Sequence, residues 1–185
     1  MQEQNNDFEL IKKFLEGDES AFNRLVLRYQ EKIYLLARRM TGNHLDADEV
    51  VQEVLMVLYK KLNTFEFKSS FYTWLYRITL TRSLNYIKRR SLKEFLPLKS
   101  VMNKRNDDYD PLITVENQEK INAIEKLLQK IPAKQREVFI LRQFEELDYE
   151  EISKITGTTV GALKANYFHA LNKLKDLLKD YENKK

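Results

Sequence analysis

The chain has 185 residues, with 32 lysines and arginines against 28 aspartates and glutamates, for a net charge of +4. It contains no cysteine, which excludes disulfide frameworks and thiolate metal sites, and its two histidines, His44 and His169, lie in separate segments, so neither metal nor other cofactor is expected. No run approaches the roughly 18 to 20 apolar residues of a membrane span, and MQEQNNDFELIKK lacks the apolar core of a signal peptide, so a cytoplasmic protein without membrane insertion is expected.

Four glycines and three prolines in a chain dominated by Leu, Lys, Glu and Arg predict an all-α fold. With roughly 100 to 200 residues per domain as a guide, the pattern divides into two small helical domains, residues 1–95 and 116–185, joined by a flexible linker. Phe8, Ile11, Phe14 and Leu15 make one face of a first helix. Gly17-Asp18 interrupts it, and Asp18 can cap a second helix, Glu19 to Met40, that packs through Phe22, Leu25, Val26, Tyr29, Ile33, Leu36 and Ala37. Both are scaffold.

A third helix is predicted from about Ala47 to Leu62, capped by Asp46, with Val50, Val51, Val54, Leu55, Leu58 and Leu62 as its core face. Asp48, Glu49, Gln52 and Glu53 share the opposite face as an acidic stripe. Like charges so placed repel mildly. Either a basic protein surface docks there, or these are solvated acids that favour the helix dipole; the pattern leaves both open.

The next loop, Asn63 to Ser70, holds Phe65, Phe67 and Lys68 in otherwise polar company, and aromatic rings beside cations suit unstacked bases. The helix after it mixes Tyr72, Tyr76 and Tyr86 with Arg77, Arg82, Lys88, Arg89 and Arg90. Trp74, Leu75 and Ile78 follow core spacing, while Tyr72 and Tyr76 sit one turn apart on a second face, better placed for nucleic acid. Between Arg82 and Arg105 Glu94 is the one acid among eight basic residues, a phosphate-facing pattern. From about Ser91 to Val115 periodicity fades; Pro97, Pro111 and a switch from basic to acidic charge mark the linker. Helices resume near Glu116, and Pro132 falls in the first turn of one whose Val138, Phe139, Leu141 and Phe144 are core.

The last segment, LDYEEISKITGTTVGALKANYFHALNKL, carries the strongest local signals. Asp148 with Glu151 three residues on forms a capping box, and Gly157 suits the left-handed residue that closes a helix. Thr158 or Thr159 then caps a second helix whose core positions are Val160, Leu163, Tyr167, Leu171 and Leu174. Its other face bears Thr159, Lys164, Ala165, Asn166, Phe168 and His169, with Lys173 further along, and no acid lies between Glu151 and Asp176. A surface without carboxylates fits a row of phosphates. The pair reads as a helix-turn-helix whose second helix enters a major groove. There is no phosphate-cradling glycine motif, no HExxH, and no nucleophile with a base and orienter, so no enzyme is expected.

In order, DADEVVQEV, FYTWLYRITLTRSLNYIKRR, IPAKQREVFILRQFEELDYEEIS and TTVGALKANYFHALNKL resemble the extracytoplasmic-function group of bacterial RNA polymerase sigma factors, from about Phe8 to Leu178. That resemblance implies a two-domain, non-catalytic subunit of core RNA polymerase that recognises promoter DNA and is held inactive by an anti-sigma factor. It implies that Asp48, Glu49, Gln52 and Glu53 dock on the clamp helices of the large polymerase subunit. It likewise implies that the loop from Phe65 through Lys68 to Ser70 and the helix bearing Tyr72, Tyr76, Arg77, Arg82, Asn85, Lys88 and Arg89 capture a flipped base and melt the −10 element. Thr159, Lys164, Ala165, Asn166, Phe168, His169 and Lys173 then read the −35 element. The chain departs from common members at Thr81 (Asn), Asn85 (Asp), Asn166 and His169 (both Arg), and at Glu49 (Asp). The other reading of the same residues is a helix-turn-helix repressor or activator that binds a palindrome without any polymerase.

Overall fold

Residues 2–95 and 124–182 are described by a computed structural model, and among them every regular element is helical. The linker prolines Pro97 and Pro111, the basic residues Lys99, Lys104 and Arg105, and the restart near Glu116 and Ile121 lie outside the described residues.

Helix α1 (Gln2–Leu15) lays Leu10 and Ile11 on α2 (Glu19–Thr41). Asp7, almost fully buried, anchors the pair: it accepts a hydrogen bond from the Tyr29 hydroxyl at 2.6 Å and pairs with Arg28 at 2.5 Å. Asp18 caps α2, its carboxylate accepting from the Ser20 N–H at 2.9 Å. The Ser20 hydroxyl donates to the same carboxylate at 2.5 Å and, more than the N–H, holds the Asp18 carboxyl below its ordinary range. Gly42 ends α2 at φ 91°, where its N–H returns to the Arg38 carbonyl.

Helix α3 (His44–Lys61) starts earlier than the sequence predicts. Asn43, extended at φ −151°, is its N-cap, accepting from the Asp46 N–H at 2.9 Å. The Asp46 carboxylate is unavailable for capping because Asn43, Tyr86 and Arg90 all donate to it. A 3-10 turn (Leu62–Thr64) and the aromatic loop lead to α4 (Phe71–Phe95), which continues past Ser91, where the linker was expected to begin. Ile33, Val50, Val54, Leu58, Phe71 and Leu75 close the core of this N-terminal lobe. Truncating one of them, such as Leu58, to alanine costs about 2–5 kcal/mol.

In the C-terminal lobe, residues 124–128 are helical and α5 (Ala133–Gln143) follows Pro132, which stands at the N-cap itself, one position earlier than predicted. Helix α6 (Tyr149–Thr156) has both bonds of the capping box, 2.7 Å into Asp148 and 3.0 Å into Glu151. Gly157 closes it at φ 71°. Helix α7 (Val160–Glu182) begins after Thr159, whose hydroxyl accepts from the Ala162 N–H at 3.4 Å, and it buries Leu163, Ala170 and Leu174, with Tyr167 and Leu171 partly covered. Phe144, expected in this core, is instead 37% exposed, edge-on to Phe139 and with the Arg39 guanidinium over its ring at 4.2 Å.

The two lobes pack together. A second core runs through both, joining Leu36, Met40, Tyr76 and Leu80 to Leu128, Ile131, Leu141, Ile152 and Ile155. Arg136, buried beneath it, donates to the carbonyls of Met40, Gln129 and Ile131, and burial brings its pKa down to about 10. Gly42 sits so close to this seam that a Cβ there would lie 2.4 Å from the Gln129 side chain.

Candidate nucleic-acid and partner interfaces

The acidic stripe divides on α3. Glu49 and Gln52 are exposed, and Asp48 is half-exposed beside His44 at 3.2 Å. Glu53 is 19% exposed and turned toward α4, 2.5 Å from Arg89 and 4.0 Å from Arg82. With Asp46 holding Arg90 and Tyr86, the acids at this edge of α3 clasp the basic strip of α4. Hydrogen bonding to Glu53 first, then its charge, pushes the Arg89 pKa up. Docking through Glu53 is therefore not what its geometry offers, because its carboxylate is engaged within the chain.

The outward face of α3 carries a feature the sequence reading missed. Leu45, Glu49, Gln52, Met56 and Tyr59 recur at spacings of three and four and are all exposed, Met56 at 55%. The signal was present in the chain, since these positions fall off the Val50–Val54–Leu58 core stripe. An exposed face that joins carboxylate and amide to methionine, leucine and tyrosine suits a partner helix with both apolar and basic side chains.

The aromatic loop is rearranged relative to expectation. Phe65 is 5% exposed and packs among Phe8, Phe71 and Trp74, so it is core and cannot meet a base. Phe67 is the exposed ring, held at φ 57° and edge-on to Phe8 at 5.1 Å. Lys68 is out in solvent beside Glu66, and Ser70 serves as a cap, its hydroxyl accepting from the Thr73 N–H at 3.1 Å.

Between the end of α3, the 3-10 turn and α4 lies a cleft of about 320 Å³ lined by Lys61, Thr64, Trp74, Arg77, Ile78, Thr81 and Arg82. Its lining combines an indole ring and aliphatic side chains with two threonine hydroxyls and three cations. That combination fits a stacked, unpaired base with its flanking phosphates. Trp74, read from spacing as core, is partly buried on Phe65 and Phe71 while contributing to this cleft.

Tyr72 and Tyr76 do not face solvent together as expected. Their rings lie 4.0 Å apart against the C-terminal lobe; Tyr76 is 0% exposed and donates its hydroxyl to Glu145 at 2.6 Å. Burial pushes the Tyr72 phenol up to about 12 and the Tyr76 phenol further, the latter also through the Glu145 carboxylate. Arg77 donates to the carbonyls of Lys154 and Ile155 at the end of α6. Asn85, Lys88 and Arg89 remain exposed along α4.

On α7 the candidate face is open. Lys164, Ala165, Phe168, His169 and Lys173 are exposed, Phe168 at 59%, with Thr159 exposed at the helix start and Asn166 half-buried at its margin. Phe168 and His169 lie edge to face at 5.8 Å. The opposite side of α7 is sealed on α5, so the presented face is the acid-free one. Among the described residues no cluster of three or more His, Asp or Glu could hold a metal, and no helix is long and apolar enough to cross a membrane.

Comparison with known proteins gives these surfaces a lineage. Residues 25–92 match sigma-70 region 2 and residues 121–174 match sigma-70 region 4. The chain is 32% identical to the ECF RNA polymerase sigma-E factor of Haemophilus influenzae over 181 residues, 92% of this chain and 94% of that protein. It is likewise 32% identical to the sigma-E factor of Escherichia coli K12 over 180 residues, covering 92% and 93%. Its fold resembles the sigma factor RpoE of Bartonella quintana, solved with the anti-sigma factor NepR, at 25% identity and a TM-score of 0.66 over 85% of this chain and 96% of that one. It also resembles CnrH, solved with the cytosolic domain of CnrY, at 23% identity and a TM-score of 0.69 over 95% and 98%. With both sigma-70 regions in order and end-to-end likeness to the sigma-E factors, the chain belongs to the extracytoplasmic-function group of RNA polymerase sigma factors.

Proposed function

We infer that the chain is a dissociable sigma subunit, non-catalytic and cytoplasmic, that binds core RNA polymerase, directs initiation at particular promoters and is restrained by an anti-sigma factor. The family membership carries this. The geometry supports a particular division of labour. Residues 1–95 dock on polymerase through Glu49, Gln52, Met56 and their neighbours on α3, and trap an unstacked base of the −10 element in the cleft beside Trp74. The C-terminal lobe, within residues 116–185, reads the duplex −35 element through the open face of α7.

Melting follows from differential binding. A closed duplex cannot enter a cleft that fits a single base, so every base captured there stabilises the open form; aromatic stacking contributes about 1–3 kcal/mol. At the −35 element fixed cations are few, because Asn166 and His169 stand where arginine is common, so base-edge contacts carry more of the recognition than phosphate contacts.

Reconstitution with core polymerase tests this. Run-off transcription from discrete positions on genomic fragments is expected only when the chain is present. Core binding without promoter-dependent starts, or tight binding to a palindrome by the chain alone, would point instead to an autonomous helix-turn-helix regulator.

A further inference from the structure

A buried arginine lacks a counterion among the described residues. Arg136 on α5 is 5% exposed, and its two terminal nitrogens donate to the carbonyls of Met40, Gln129 and Ile131 and to the Gln129 amide oxygen. All four acceptors are neutral. The Nε–H has no partner, and burial depresses the guanidinium pKa with no carboxylate nearby to hold it up. Arg38, buried to the same 5%, shows the ordinary arrangement: it pairs with Glu125 at 3.1 Å. A charge taken out of water is costly unless an opposite charge accompanies it. Water could satisfy the Nε–H, but the charge would stay unbalanced.

Arg136 also lines a cavity of about 390 Å³. That volume falls within the roughly 300–1,000 Å³ of small-molecule sites. Asn43 and Asp46 at the start of α3, Tyr86, Arg90 and Ser91 on α4, and Gln129 share the wall with it. Asp46, the one acid among the described lining residues, is already engaged, since Asn43, Tyr86 and Arg90 all donate to it. Two guanidinium charges against one carboxylate leave the lining with a net positive charge. The N-terminal end of α3, whose N-cap Asn43 forms part of the wall, adds the positive end of a helix dipole.

These features define the chemistry of an occupant. An unbalanced cation calls for an anion, and the space exceeds what a bare ion fills. Donors on separate elements, Arg136 on α5 and Arg90 and Ser91 on α4, suit a tetrahedral phosphate with three acceptor oxygens better than a planar carboxylate. Tyr86 and Ile87 supply apolar wall for an organic portion.

We propose that this cavity binds a small organic phosphate, a sugar phosphate or nucleoside monophosphate, with the phosphate held by Arg136 and Arg90 and the organic portion against Tyr86 and Ile87. The site shares no residue with the α3 docking face, the cleft beside Trp74 or the open face of α7. A bound ligand therefore leaves those surfaces uncovered.

Titration of the full-length chain with ribose 5-phosphate and with AMP tests this, read by calorimetry and by the arginine Nε–H signals in proton–nitrogen correlation spectra. Saturable binding is expected, with the Arg136 Nε–H signal shifting in step with the heat, and none with ribose or adenosine at the same concentration. Both phosphates binding equally supports the site and assigns the sugar phosphate as its ligand; tighter binding of AMP supports it and assigns the nucleoside. Ser91→Asp puts a negative charge on an exposed residue of the wall and should weaken binding by about tenfold with helical circular dichroism unchanged. Asn23→Asp makes the same charge change on α2, roughly 27 Å along the helix from Thr41 in the cavity wall, and should leave binding unchanged.

Absence of saturable binding by both phosphates would overturn the proposal. So would binding that leaves the Arg136 Nε–H signal unmoved, or equal weakening by Ser91→Asp and Asn23→Asp, which would reduce the effect to net charge. Should Ser91→Asp lose its helicity, the wild-type titrations with their neutral controls still decide.

Discussion

Two neighbouring carboxylates on α3 provide a sharp contrast, because one turn of helix points them at different partners. Glu49 is exposed, so Glu49→Lys has no interior to disturb. If it faces a basic polymerase helix, the change replaces an attraction by a repulsion. A unit-charge pair at about 4 Å is worth roughly 1–4 kcal/mol between the dielectric of water and that of a protein surface. Salt screening keeps the outcome near the lower end, so a loss of about ten- to hundredfold in polymerase affinity is expected, with little change in melting temperature. Glu53→Gln acts elsewhere: it removes the charge from a 2.5 Å pair whose Arg89 side chain is half exposed. Exposed pairs contribute about 0.2–1 kcal/mol, which for a chain of this size is at most about 2–4 °C. Polymerase affinity should hardly move. Fluorescence anisotropy of labelled chain titrated with core enzyme reads the first effect, and thermal unfolding the second. Equal loss of affinity in both variants, with no loss of stability in Glu53→Gln, would refute the division of the stripe.

Asp148→Ala removes one half of the capping box on α6 and should cost about 1 kcal/mol of stability, seen as a lower urea midpoint with no change in slope, since the native and unfolded ensembles keep their surface. Trp74→Ala strips one wall from the 320 Å³ cleft; losing a stack of about 1–3 kcal/mol should slow open-complex formation by about five- to 150-fold while leaving affinity for a −35 duplex unchanged. Tyr76 responds to pH. Its phenol is raised by burial and then by Glu145, with Tyr72 and Arg39 also facing it. The folded chain therefore keeps a proton that the unfolded chain releases at the same pH. Stability of the seam is full below the ordinary tyrosine pKa of about 10 and falls as pH rises through it. The urea midpoint should hold up to about pH 10 and fall progressively above it, and Tyr76→Phe should blunt that fall.

Much of this molecule is legible where the deciding interactions are local. Asp148, Glu151 and Gly157 lie within ten residues of one another, and their side-chain-to-backbone bonds form as the spacing indicates. The acid-free face of α7 is exposed because Leu163, Ala170 and Leu174 fix which side is core. The errors come from partners distant in sequence. Asp46 reads as a cap, yet Arg90 and Tyr86, more than three dozen residues away, take its carboxylate and leave Asn43 to cap α3. Phe65 looks like an aromatic lure in a polar loop, but Phe8, Phe71 and Trp74 close over it. Tyr76 occupies a face that periodicity within α4 leaves open, and the other lobe covers it. Met56 is different: its exposure followed from the helix wheel and was obscured by its apolar character, which invites a core assignment.

Permanganate footprinting of a duplex promoter most directly tests whether the N-terminal lobe opens DNA by trapping a base while α7 holds closed duplex. Core polymerase with this chain should render thymines reactive across the −10 element and nowhere near the −35 element. Trp74→Ala should lower that reactivity, measured at early times, without releasing the −35 contacts. Reactivity that persists undiminished in Trp74→Ala, or that appears with core polymerase alone, would contradict it.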